Sequence, residues 1–193
     1  MDSPQELKII QKLTDLLDQL SIVYAIGGSI ASSVYGVIRF TQDADITVSP
    51  FSPVADKLYE MLKDDFYISK QAMYQALESR GSFNVIHFET SFKIDIFVQA
   101  DDEFEKQLLA RSRKINLGDP LDKALSFISP EDIILLKLKW YSRGGSASQR
   151  QWSDILGVLA VQRGRLDLKY LGQWAEKLGL NDLLQKAMAQ LRT

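Results

Sequence analysis

The chain has 193 residues, 46% hydrophobic and 25% charged, which fits one folded domain with a sizeable core and excludes disordered, collagen-like and fibrous classes. With no cysteine and a single histidine it has no disulfide, thiolate zinc site, cysteine nucleophile or histidine-rich metal site, so any metal chemistry must run on carboxylates and a hard ion such as Mg2+ or Mn2+. The formal net charge of −2 gives nucleic-acid binding no support from bulk electrostatics.

The N-terminal MDSPQELKII has no basic region followed by an apolar run, so it does not read as a signal peptide. No apolar stretch approaches the roughly 18 residues of a membrane span. A cytoplasmic protein without membrane contact is expected. Asp2 or Ser3 before Pro4 marks a helix start, and Leu7, Ile10, Leu13, Leu17 and Leu20 recur at helical spacing. Residues 22–26 have strand character. Gly27-Gly28-Ser29 interrupts them, and a short helix over 29–35 is closed by Gly36. Residues 44–48 read as a strand ended by Pro50 and Pro53, followed by a helix over 54–62 and a short strand at 67–68. Residues 83–89 and 92–98 form a hairpin around Thr90-Ser91, a helix covers 104–110, and weaker strands lie near 114–117 and 124–128.

From Ser129 the pattern becomes helical. Ser129 suits an N-cap, Pro130 the first helical position, and Asp132 adds first-turn negative charge. A Gly/Ser-rich loop over 143–148 precedes a helix carrying Trp152, Ile155, Leu156 and Leu159, and helices over 168–178 and 181–191 complete the chain. The layout predicts an α+β fold. A mixed or antiparallel sheet flanked by helices spans 1–128, and a C-terminal helical segment, 129–193, packs on that core.

Three features carry chemistry. Gly27-Gly28-Ser29, between a strand and a helix, allows close backbone approach to a ligand and offers free N–H groups to a phosphate. It matches neither the dinucleotide fingerprint nor the P-loop. In Asp43-Ala44-Asp45 the two acids share a strand face, as a divalent-ion site requires. Asp95, between Ile94 and Ile96, is costly to bury unless paired or bound to metal. Each feature alone has a structural reading; their order along the chain is more specific than any of them.

The stretch Gly27-Gly28-Ser29…Tyr35-Gly36…Arg39-Phe40-Thr41-Gln42-Asp43-Ala44-Asp45-Ile46 resembles the polymerase-β-like nucleotidyltransferase superfamily, and within it the AbiEii/AbiGii-type minimal nucleotidyltransferases, bacterial proteins that include toxins of toxin–antitoxin pairs. Ser129-Pro130-Glu131-Asp132 leading to Lys137, then Trp152-Ser153-Asp154-Ile155, resemble the later elements of that group. The resemblance implies that Asp43, Asp45 and Asp95 are catalytic and bind Mg2+ or Mn2+. Gly27, Gly28, Ser29, Arg39, Thr41 and Lys137 would then bind the nucleotide, and Asp154 would support Lys137 or serve as a base. It also implies in-line attack by an acceptor hydroxyl on the α-phosphorus of an NTP, with release of pyrophosphate.

Several residues keep more than one reading. Arg39 either holds a phosphate or the acceptor, or pairs with a nearby carboxylate. Lys137 and Asp154 are either functional or exposed on helix surfaces. His87 reads as a structural or an exposed histidine, or as an acceptor-side residue if the hairpin brings it near Asp95. Lys137, Lys139, Arg143 and Arg150, interleaved with Trp140, Tyr141 and Trp152, either contact a nucleotide or RNA or, as we prefer, mark two helices packed through Trp140 and Trp152.

The leading function is an NTP-dependent nucleotidyltransferase acting on tRNA, a protein or a small molecule, with acceptor choice in the helical tail. A toxin-type member would have an antitoxin partner. The alternative is a non-catalytic nucleotide-sensing or partner-binding module that retains the fold.

Overall fold

A computed structural model describes residues 4–119, 121, 123–144 and 148–191. The elements, numbered along the chain, begin with α1 (Pro4–Gln19), β1 (Tyr24–Ile26), α2 (Gly28–Tyr35) and β2 (Asp43–Val48). A 3-10 turn over Ser52–Val54 leads into α3 (Ala55–Leu62), β3 (Phe66–Ile68), α4 (Lys70–Ser79), β4 (Ser82–His87) and β5 (Lys93–Val98). Then come α5 (Glu103–Ala110), β6 (Arg113–Ile115), β7 (Leu125–Phe127), α6 (Pro130–Arg143), α7 (Gln149–Val161), α8 (Leu168–Lys177) and α9 (Asn181–Gln190). None of the described helices is long and apolar enough to cross a membrane.

The chain divides into two compact units. Among the described residues, a sheet unit holds those up to Gly27 and Phe40–Ile128, and a helical unit holds Gly28–Arg39 and those from Ser129 onward. In the sheet unit seven strands run in the order β3-β4-β5-β2-β1-β7-β6. The pairs β2–β5 and β1–β7 are parallel and the others antiparallel. The sheet is mixed, as the α+β reading expects.

Strand alternation sorts its two faces. Ala44, Ile46 and Val48 on β2, Ile94, Ile96 and Val98 on β5, and Phe83 and Val85 on β4 are buried. Asp43, Asp45, Lys93, Asp95 and Asn84 lie on the opposite, more open face. The apolar stripe of α1 (Leu7, Ile10, Leu13, Leu17) and the residues Leu58, Leu62 and Met73 complete the core of this unit. The signals that would open α1 at Asp2 and Ser3 lie outside the described residues. Helix α4 has no counterpart in the sequence reading, because its buried face is only Met73, Ala76 and Leu77. It is set by its ends: Ser69 Oγ accepts from the Ala72 N–H (3.2 Å), and Arg80 closes it in the left-handed region (φ 55°).

In the helical unit Ser129 caps α6, its Oγ accepting from the Asp132 N–H at 3.2 Å. Asp132 and Glu131 are fully buried. Asp132 accepts from Ser129 Oγ and from the Tyr170 hydroxyl, both at 2.6 Å, and Glu131 accepts from the Asp167 N–H at 2.9 Å. The first turn of α6 favours both negative charges, and the hydrogen bonds tie it to the start of α8. Tyr170→Phe removes one donor from a buried carboxylate; an expected loss of about 1–2 kcal/mol would appear as a lower urea midpoint at unchanged slope.

Gly36 ends α2 as expected, but for another reason than helix capping. It is absent from the positive-φ glycines, and a Cβ there would lie 2.8 Å from the Val158 nitrogen and 2.9 Å from the Gly157 carbonyl carbon. Glycine is required because the backbone of α7 passes close by.

Candidate functional site

In the sheet unit β2 and β5 run parallel with Asp45 opposite Asp95 and Asp43 opposite Lys93. Neighbouring strands lie about 4.8 Å apart. Three carboxylates and one lysine therefore occupy a two-by-two block of adjacent positions on one face. Thr41, buried, donates its hydroxyl to Asp43 Oδ1 at 2.9 Å, which fixes that carboxylate. Lys93 Nζ donates to Asp95 Oδ2 at 2.6 Å. That hydrogen bond raises the Lys93 pKa above the ordinary lysine value; burial opposes the rise, and the charges of Asp95, Asp43 and Asp45 reinforce it.

An all-oxygen set on one face at strand spacing fits a hard divalent ion. Among the described residues no three carboxylate or histidine side chains are gathered into a ready ligand set. The cation beside Asp95 is Lys93, a residue the sequence reading passed over. Its signal was legible: position i−2 from Asp95 on a strand shares that acid's face.

Gly27 belongs to the same unit. Its N–H donates to the Asp45 carbonyl at 2.8 Å, and a Cβ there would press on Ile128 Cδ1 at 3.0 Å. A polar cavity of about 480 Å³ lies at the starts of β2 and β5, lined by Gln5, Glu6, Phe40, Gln42, Thr90 and Phe92. Gln42 and Phe92 immediately precede Asp43 and Lys93 in the chain.

The helical unit carries the second group. Gly28 opens α2 in the left-handed region (φ 55°), and Ser29 follows. The Arg39 guanidinium donates to Ser29 Oγ and, in bidentate form, to Asp154: Nε to Oδ1 at 2.8 Å and Nη2 to Oδ2 at 2.9 Å. Ser33 Oγ holds the Arg39 backbone, accepting from its N–H and donating to its carbonyl, each at 3.3 Å. Lys137 Nζ donates to Asp154 Oδ2 at 2.8 Å and to Gln151 Oε1 at 3.1 Å. Lys137 is 5% exposed and Asp154 8%, so neither is a surface residue. Burial pushes the Asp154 carboxyl up, but the hydrogen bonds from Arg39 and Lys137 outweigh it and hold the group below the usual carboxylate range. Arg39 thus pairs with a carboxylate, one of its readings. Gln151 and Ser33 had no signal in the sequence beyond their polarity.

His87 is buried on the face opposite Asp95. Its Nδ1 lies 3.0 Å from Thr90 Oγ1 and its ring packs edge-on to Phe66, with centroids 5.3 Å apart. It is a structural histidine. Of the two tryptophans expected to pack two helices together, Trp152 does so and Trp140 does not. Trp152 packs on Tyr141 (centroids 4.9 Å) and donates to Gln190 Oε1, whereas Trp140 is 55% exposed beneath the Arg143 guanidinium. Tyr141, the next residue and about 100° further round α6, takes the inward position.

Comparison by sequence finds no matching protein family and no matching curated protein. Comparison of folds finds solved structures. The antibiotic-resistance factor ANT(2'')-Ia aligns over 100% of this chain and 97% of its own, with a TM-score of 0.55 and 18% identity. The same factor in complex with adenylyl-2''-tobramycin aligns over 94% and 98%, at 0.54 and 15%. An antigenic nucleotidyltransferase-like protein from Paracoccidioides brasiliensis aligns over 98% and 94%, at 0.58 and 16%. The chain has the nucleotidyltransferase fold. At these identities the likeness is one of architecture, and activity has to be argued from the residues.

Proposed function

We propose that the chain is a divalent-metal-dependent nucleotidyltransferase of the minimal AbiEii/AbiGii-like type, moving an NMP from an NTP to a hydroxyl acceptor and releasing pyrophosphate. The observation that carries this reading is the register of Asp45 with Asp95 on neighbouring parallel strands, with Asp43 on the same face. Three acids at adjacent positions against a single lysine leave negative charge on this face in excess, which suits a divalent cation.

Asp43, oriented by Thr41, and Asp45 would hold the ion, and Asp95 would complete the set and take the proton from the acceptor hydroxyl. A bound Mg2+ or Mn2+ supplies charge neutralisation for the α-phosphate and the pyrophosphate leaving group. Gly27 and Gly28 let the backbone approach the phosphates, and Ser29 adds a hydroxyl at the first turn of α2. By the resemblance, Arg39 and Lys137 would bind the nucleotide, with Asp154 holding both cations. Oxygen of the acceptor bonds to the α-phosphorus as the bond to the β-phosphate bridging oxygen breaks. A tRNA, a protein hydroxyl or a small molecule satisfies this chemistry, and a toxin-type role would add an antitoxin partner. A small acceptor finds room in the cavity beside Gln42.

Calorimetry with ATP, GTP, CTP and UTP, with and without Mg2+, tests the proposal. Mg2+-dependent binding by the wild type, lost in Asp43→Ala/Asp45→Ala, is the expected result. No binding of any NTP by folded wild type would instead favour a non-catalytic module that retains the fold.

A further inference from the structure

In the two-by-two block on β2 and β5, three corners are acids and the fourth is Lys93. A lysine on an open strand face ordinarily extends into water, where its ammonium is well hydrated. Lys93 instead turns along its own strand and places Nζ 2.6 Å from Asp95 Oδ2, with its side chain 41% exposed and that of Asp95 23%. The same ammonium lies within the field of Asp43 and Asp45. Asp95, the third acid of the proposed metal set, is therefore already engaged by a cation belonging to the chain.

We propose that Lys93 is a resident counter-ion of the carboxylate face that competes with divalent metal, so that metal binds productively only together with the nucleotide. The inference rests on the metal-site reading above and adds its regulation. An ammonium on Oδ2 and a divalent ion on the same carboxylate repel each other even near a surface, and each weakens the carboxylate's hold on the other. Free metal therefore binds against the Lys93–Asp95 pair. A metal–triphosphate complex brings ligands of its own and compensates for the weakened pair. In the metal-free protein Lys93 relieves the repulsion among the three acids, which keeps the face intact until substrate arrives.

The test is Mn2+ binding to the full chain without nucleotide, read by calorimetry and by the loss of the free-ion electron paramagnetic resonance signal. Lys93→Met is expected to bind Mn2+ about tenfold tighter than wild type or more, which corresponds to about 1.4 kcal/mol or more. Lys93→Arg keeps the charge and is expected to stay at the wild-type affinity. Lys106→Met removes a lysine of the same unit that pairs with Asp101 on the surface, and serves as the control for a general charge effect. In the Lys93→Met protein an added NTP is expected to improve Mn2+ affinity by a smaller factor than in the wild type. Wild-type affinity in Lys93→Met, or an equal gain in Lys106→Met, would overturn the proposal while leaving the metal site standing, provided Asp43→Ala/Asp45→Ala abolishes binding. Absence of Mn2+ binding in every variant, with NTP as well as without, would overturn both readings. Circular dichroism checks folding, and Lys93→Gln replaces the methionine variant if that one does not fold.

Discussion

Asp154→Ala is expected to cost the protein about 3–5 kcal/mol of stability, the usual effect of deleting one partner from a buried ion pair. Asp154 is almost wholly buried and is the point on which two cations converge, the Arg39 fork at 2.8 and 2.9 Å and Lys137 Nζ at 2.8 Å. Removing the carboxylate leaves Lys137 inside the helical unit without that charge and removes the anchor of the Arg39 guanidinium. The same geometry sets a pH dependence. Burial alone would raise the Asp154 pKa, but the hydrogen bonds from Arg39 and Lys137 depress it. A carboxyl whose folded pKa lies below its unfolded value of about 3.9 contributes stability that is fully present above that value. The contribution is lost as pH falls through the lower folded value. Urea midpoints of the wild type should therefore fall with an added slope below about pH 4, a component that Asp154→Asn lacks. A loss under about 1 kcal/mol in Asp154→Ala would be that of an exposed surface pair and would contradict the burial on which the argument rests.

The fold was most legible where a local rule and burial agreed. Ser129-Pro130 with Asp132 predicted the start of α6, and the alternation in residues 44–48 and 92–98 predicted β2 and β5. Helix α4 escaped because three buried residues do not make an apolar stripe, and the information sat in Ser69 and Arg80 instead. The reason for Gly36 escaped because the Val158 and Gly157 backbone it must avoid is remote in sequence. On the sheet the three aspartates were visible as motif spacing, but their cross-strand register was not, since Asp45 meets Asp95 only once a parallel pairing is chosen. The Arg39–Asp154 pair, 115 residues apart, shows the same limit. Sequence offered Arg39 a carboxylate among its readings, and only tertiary structure shows that the carboxylate is Asp154. Trp140 and Tyr141 are a third case: both suit a helix–helix contact, and the phase of α6 decides which one faces inward.

Asp45→Asn is expected to reduce nucleotidyl transfer by about 10³-fold or more while leaving the fold as stable as the wild type or slightly more so. The rate expectation follows from the proposed role. A bound metal supplies several kcal/mol of transition-state charge stabilisation, about 4 kcal/mol equals about a thousandfold in rate, and a neutral amide at this position holds a divalent ion poorly. The stability expectation follows from the sheet. Asp45 and Asp95 are directly opposite at matched register, and like charges so placed repel, a repulsion that Lys93 relieves only in part because it pairs with Asp95. Asparagine is nearly isosteric and removes that repulsion. Transfer is read as α-phosphate label passing from an NTP to whichever acceptor the wild type uses in a panel of RNA, proteins and small hydroxyl compounds. Stability is read from urea midpoints of the same preparations. The opposite signs matter more than either value alone. An acid kept for the fold would lose activity only as far as it lost stability, whereas an acid kept for chemistry loses activity while the sheet relaxes. If Asp45→Asn unfolds in proportion to its loss of transfer, Asp45 is structural and the metal assignment on this face falls with it.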